Sequence, residues 1–128
     1  MKDKITEKSR YDKRAFGFLS EESIMIDFGK KSSPILRPPY DKYEDLQHHY
    51  IKQNHKVLEI GSGIGSHTFS LLETGASVIA TDISINSLKV VEKIYKKNFN
   101  NLITSVADME KLPFKNEFFD VICTAGCL

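Results

Sequence analysis

The stretch Lys56-Val-Leu-Glu-Ile-Gly-Ser-Gly-Ile-Gly65 decides the fold. Val57, Leu58 and Ile60 form an apolar strand that runs straight into Gly61, Gly63 and Gly65. Beyond the glycines, the spacing predicts an amphipathic helix from Ile64 to about Thr74, with Ile64, Thr68, Leu71 and Leu72 on one face. Glycines at a strand-to-helix turn let the backbone bend sharply and approach a ligand, because no Cβ stands in the way. The start of the following helix adds N–H groups and a partial positive charge. The segment therefore reads as a nucleotide-type cofactor site. On the loop alone, a tight turn that serves only packing remains the alternative.

Two details narrow the ligand. The dinucleotide fingerprint is G-x-G-x-x-G, whereas here the third glycine comes one position early and Ser66 stands in its place. Glu59 lies two positions before the first glycine, where a carboxylate repels a pyrophosphate and suits a cationic or zwitterionic ligand. Further on, Ser77 to Thr81 reads as a second buried strand ending at Asp82. In a doubly wound sheet that end lies beside the glycine loop, so Asp82 can take both hydroxyls of a ribose; a turn or helix-capping aspartate is the plainer alternative. Asp108 follows a third strand, Leu102 to Val106, and can accept from the exocyclic amine of adenine while the Met109 N–H donates to the ring. Ile83 and Met109 could then sandwich that ring, although alone Asp108 would serve as a turn residue.

Strand and helix alternate throughout the second half. Gly75 stops the first helix, Ser84 is placed to cap a helix from about Ile85 to Lys97 with Leu88, Val91 and Tyr95 inward, and Phe119 to Thr124 is a fourth strand. Near-continuous apolar strands separated by helices imply a parallel sheet with right-handed crossovers, an α/β Rossmann-like fold. Upstream, residues 1–19 read as a frayed, charged helix and Ser20 to Phe28 as a short helix closed by Gly29. Lys30 to Tyr40, with Pro34, Pro38 and Pro39, reads as an irregular linker. A helix is expected from Asp41 to about Ile51, with Tyr43, Leu46, Tyr50 and Ile51 facing the sheet. This divides the chain into an N-terminal helical cap and linker, 1–50, and a cofactor-binding domain, 51–128.

Composition bounds the function. A chain of 128 residues has room for one core, and 18 basic against 17 acidic residues give a net charge of +1, which offers no electrostatic footprint for nucleic acid. No apolar run reaches the roughly 18 residues of a membrane span. Cys123 and Cys127 read as buried free thiols in a reducing cytoplasm, and their spacing is not a zinc motif. His48, His49, His55 and His67 form no ligand cluster and read as surface or loop residues, so no metal is expected.

Four segments, Val57–Gly65, Val78–Ser84, Ala107–Phe114 and Phe119–Ala125, occur in the order and at the spacing of the class I S-adenosylmethionine-dependent methyltransferases, which the chain resembles from about Lys56 to its last residue. The Asp-x-x-x-Leu-Pro-Phe run is most similar to the branch acting on small molecules such as quinones, lipids, sugars or natural products. The resemblance implies S-adenosylmethionine as cofactor, with Gly61, Ser62, Gly63 and Gly65 around its methionine part and Glu59 close by. It further implies Asp82 at the ribose, Asp108 at adenine, and Thr124 and Ala125 near the sulfonium. It nominates no catalytic base.

The family's sheet has seven strands, and this sequence stops after the fourth. The expectation is therefore the cofactor-binding half of a longer enzyme, with strand four left as an apolar edge that a second copy could pair with. Two alternatives remain: a non-catalytic module that binds S-adenosylmethionine, and a fragment of an NAD(P)-dependent oxidoreductase.

Overall fold

The computed structural model describes residues 37–125. The helices expected within 1–28, the Gly29 stop, residues 30–36 of the linker and Cys127 lie outside the described residues. Along the described chain the elements are α1 (Arg37–Tyr50), β1 (Lys56–Ile60), α2 (Thr68–Glu73), β2 (Ser77–Asp82), α3 (Ile85–Tyr95), β3 (Leu102–Val106) and β4 (Val121–Thr124). The four strands pair in parallel in the order β3-β2-β1-β4. The chain thus winds outward from β1 through β2 to β3, then returns to place β4 on the other side of β1. That reversal makes a crevice at the carboxyl end of β1, which is where open α/β sheets bind ligands.

The register separates the two faces of the sheet. Val57 aligns with Val78 and Val121, and Val78 with Leu102. Because side chains alternate along a strand, this row shares a face with the next one, Thr104, Ala80, Glu59 and Cys123. Leu71 and Leu72 from α2, with Val91 and Tyr95 from α3, close over it to form the core. Each such fully buried aliphatic side chain contributes about 1.5–3 kcal/mol. The other face carries the row Ile103, Ile79, Leu58 and Ile122. Leu58 is buried there, while Ile103 and Ile122 at the two margins are 60% and 59% exposed. Among the described residues, no helix is long and apolar enough to cross a membrane.

Local chemistry explains where the elements start and stop, and corrects the sequence reading in three places. First, Pro38 and Pro39 stand in the first turn of α1 rather than in a linker reaching Tyr40. First-turn N–H groups have no partner within a helix, so proline starts a helix as readily as it breaks one. Second, the buried side of α1 is Gln47 together with half-buried Tyr40 and Tyr43, whereas Leu46 and Tyr50 are exposed. The helix is anchored to α2 by His48, whose Nε2–H donates to the Ser70 carbonyl at 3.1 Å. Third, α2 is only six residues long and begins at Thr68. The preceding residues form turns, because Gly61, Gly63 and Gly65 all have positive φ, at 67°, 56° and 94°. So short a helix has little macrodipole to offer a ligand. The other expectations hold closely: Ser84 caps α3 by accepting from the Ser87 N–H, and Gly75 follows α2 with its N–H on the Leu72 carbonyl.

The glycine loop is seated on α3. Tyr95 Oη donates to the Gly65 carbonyl at 2.7 Å, and a Cβ on Gly65 would stand 2.7 Å from Tyr95 Cε2 and 3.3 Å from Val91 Cγ2. A Cβ on Gly63 would meet nothing within 4 Å. Gly65→Ala is therefore expected to destabilise the protein by about 2–4 kcal/mol through overpacking and backbone strain, and Gly63→Ala by about 1 kcal/mol through strain alone. Denaturant unfolding of the two variants measures the difference.

Candidate cofactor site

Three strand ends and the loop that joins β1 to α2 build the site. Within the loop, the Gly65 N–H donates to the Ser62 carbonyl (3.0 Å) and the Thr68 N–H to the Gly65 carbonyl (3.2 Å), while the Ser62 N–H reaches across to the Thr81 carbonyl of β2 (2.9 Å). The Asp82 carboxylate completes the linkage. Its Oδ2 accepts from the Gly63 N–H and its Oδ1 from the Ser84 N–H, both at 2.9 Å. One side chain at the end of β2 thus holds the glycine loop and the cap of α3 in fixed relation.

Glu59 lies directly beneath the loop and is 5% exposed. Thr68 Oγ1 donates to its Oε1 at 2.5 Å. Burial pushes its carboxyl up to about 7; the Thr68 hydrogen bond acts against that rise and the nearby Asp82 charge adds to it. Two groups the sequence reading did not single out as site residues share its surroundings. Tyr43 of α1 is pushed up to about 12, chiefly by burial and then by neighbouring Cys123 and Glu59. Cys123 of β4 is pushed up to about 11 by burial and by Glu59. Both therefore stay neutral at physiological pH, and the buried thiol is no ready nucleophile.

Glu59, Gly61, Ser62, Gly63, Gly65 and Asp82 are thus one connected constellation. Half-buried Ile83 follows Asp82 directly. Asp108, Met109 and Ala125 follow β3 and β4, and the parallel strands place them at the same end of the sheet. Asp108 also closes a turn: its Oδ1 accepts from the Glu110 N–H and its main-chain carbonyl from the Lys111 N–H, each at 2.9 Å. Met109 is largely exposed.

The sequence reading missed what α1 contributes. Tyr40 and Tyr43 pack edge-on against His67, with ring centroids 4.7 and 5.2 Å apart, and His67 Nδ1 lies 3.5 Å from Glu44 Oε1. His67 is a loop residue as expected, but it is half-buried at the head of α2 rather than on the surface. The available signal was the spacing of Tyr40, Tyr43 and Gln47, which lie on one helical face.

Residues 57–128, more than half of the chain, match the family model described as "Methyltransferase domain". The chain belongs to the methyltransferase domain family. It is 34% identical over 73 residues to a demethylmenaquinone methyltransferase of Tropheryma whipplei, an alignment covering 57% of this chain and 30% of that protein. It is 39% identical over 77 residues to a ubiquinone/menaquinone biosynthesis C-methyltransferase of Pectobacterium carotovorum, covering 56% and 31%. The chain therefore spans about a third of the length of these relatives. The fold of a phosphoethanolamine N-methyltransferase from Haemonchus contortus superposes with a TM-score of 0.67 at 20% identity, over 94% of this chain and 25% of that one.

A carboxyl that titrates near neutrality in the folded state couples stability to pH. The folded protein holds the Glu59 proton above the range in which the unfolded chain has lost it, so this contribution is full below about pH 4.5 and is lost as pH rises through about 7. Melting curves of the free protein are expected to show wild type losing more stability than Glu59→Gln between pH 5 and pH 7.5, by a few kcal/mol at most.

Proposed function

We propose that this chain binds S-adenosylmethionine and forms the cofactor-binding part of a methyltransferase acting on a small molecule. One observation bears most of the weight: a buried carboxyl and a second carboxylate, Glu59 and Asp82, flank a glycine loop whose Gly63 faces open space. The donor set fits this ligand. A carboxylate oxygen accepts more than one hydrogen bond, so Asp82 can hold the loop and α3 through its present bonds and still receive two ribose hydroxyls. Glu59 opposes a pyrophosphate and favours a cation, which argues against the dinucleotide alternative. The Gly61–Gly65 backbone then borders the methionine part, Ile83 and Met109 the adenine faces, Asp108 the exocyclic amine, and Ala125 the region of the sulfonium.

When bound, S-adenosylmethionine supplies an electrophilic methyl group. The work left to the protein is to hold the donor rigid and aligned for in-line displacement. The bonds from Asp82 to Gly63, from Tyr95 to Gly65 and from Thr68 to Glu59 serve that rigidity. We read residues 1–50 as a cap, whose α1 leans on the loop through Tyr40, Tyr43 and His67, and 51–128 as the cofactor domain. A quinone-type acceptor is the class favoured by the names of the two curated relatives. A cytoplasmic setting fits the free buried thiol of Cys123, and the Ile122 margin of β4 offers an edge to a second copy.

Calorimetric titration with S-adenosylhomocysteine tests the cofactor reading. Saturable binding is expected. Asp82→Asn, which keeps an acceptor for the loop but removes the charge, is expected to weaken it by about 1.5–3 kcal/mol, roughly tenfold to over a hundredfold. Unchanged affinity in that variant would remove Asp82 from the site.

A further inference from the structure

Beneath the glycine loop, five elements converge on the Glu59 carboxyl without bringing it a positive charge. β1 supplies Glu59 itself, α2 supplies Thr68 on Oε1, α1 supplies Tyr43, β4 supplies Cys123, and Asp82 stands at the end of β2. α3 presents Tyr95, whose hydroxyl donates to the Gly65 carbonyl. Among these groups every titratable one is an acid. His67, one residue before Thr68, has Nδ1 3.5 Å from the Glu44 carboxylate and its ring against Tyr40 and Tyr43. Beside Tyr43, Gln47 is 4% exposed, and its amide favours the ionised form of the Tyr43 hydroxyl, against the rise that burial causes.

An ionised carboxylate buried without a counter-charge is strongly disfavoured. A ligand ammonium supplies the missing counter-charge, and the amino-acid end of S-adenosylmethionine carries one, as does that of S-adenosylhomocysteine. Resting on the cofactor reading above, we infer that arrival of this ammonium group expels the Glu59 proton to solvent, so that cofactor binding and proton release are one coupled event. The free protein keeps the carboxyl neutral beneath its loop, and the bound protein holds it ionised against the ligand.

The magnitude comes from a carboxyl poised at about 7 in the free protein. Release then amounts to about half a proton per ligand at pH 7, about nine-tenths at pH 6 and about a tenth at pH 8, and affinity falls about fivefold from pH 7 to pH 6. The test is calorimetric titration of the full chain with S-adenosylhomocysteine at pH 6, 7 and 8, each in two buffers of different ionisation enthalpy. The expected result is a buffer-dependent heat that yields these proton counts, persists in His67→Gln and disappears in Glu59→Gln. Binding with no buffer dependence at any pH overturns the coupling while leaving the cofactor reading intact. A proton count that survives Glu59→Gln, or vanishes in His67→Gln, also overturns it by placing the proton elsewhere. Absence of binding at every pH overturns the cofactor reading itself.

Discussion

The Asp82 carboxylate is the tie on which the rest of the site depends. It sits where β2 ends, and two backbone N–H groups converge on it from opposite directions, Gly63 from the loop after β1 and Ser84 from the cap of α3. Charge-assisted bonds of this kind are stronger than neutral ones. They join three segments that are remote in sequence but adjacent in the sheet. The loop needs such a tie because its own conformation is held by few internal bonds and by glycines, which are entropically costly to order. With Asp82 on one side and Tyr95 on the other, the loop is fixed from both the sheet and the helix layer. Preorganisation of this sort suits the proposed methyl transfer, for which alignment rather than acid–base chemistry would be the main contribution.

Glu59 illustrates a conflict between stability and binding. A hydrophobic residue at that position would suit the core better, because it aligns with Ala80 and Cys123 on the buried face of the sheet. Instead the position holds a carboxyl whose only direct donor is Thr68 among the hydrogen bonds of the described residues. Departures of this kind from good core chemistry concentrate at functional sites. The energetic conflict is softened by the proton: while the carboxyl stays neutral, burial is tolerable.

Much of this architecture was legible in the sequence because it rests on local signals. The strand residues Val57, Val78 and Leu102 are apolar and bounded by glycine, serine or asparagine, and their pairing needs no long-range information beyond the rule for right-handed crossovers. Gly61, Gly63 and Gly65 identified the loop, and their positive φ values are the physical reason that only glycine serves there. Those same angles delay α2 to Thr68, which helical periodicity alone does not reveal, since Ile64 falls on the correct face for a helix it does not join. The proline pair at 38–39 misled for a related reason: proline is equally a helix starter, and its role is set by whether the next residues continue the helix. The α1 contribution was legible only in part: Tyr43 and Ile51 are buried or half-buried as their spacing suggests, whereas Leu46 and Tyr50 are exposed and polar Gln47 is buried, because α1 docks on α2 rather than on the sheet alone.

That docking changes the character of the site. Tyr43 of α1 and Cys123 of β4 both stand close enough to Glu59 to be raised by it, and both stay neutral at physiological pH. Neither brings the carboxyl a positive charge. In the proposed complex, charge compensation is left to the ligand. A segment outside the strand–helix repeat therefore sets the electrostatic condition under which the repeat's own residues work. The strand–loop–helix pattern marks the candidate site, while the helix that precedes it adds the half-buried Tyr43 to the surroundings of Glu59.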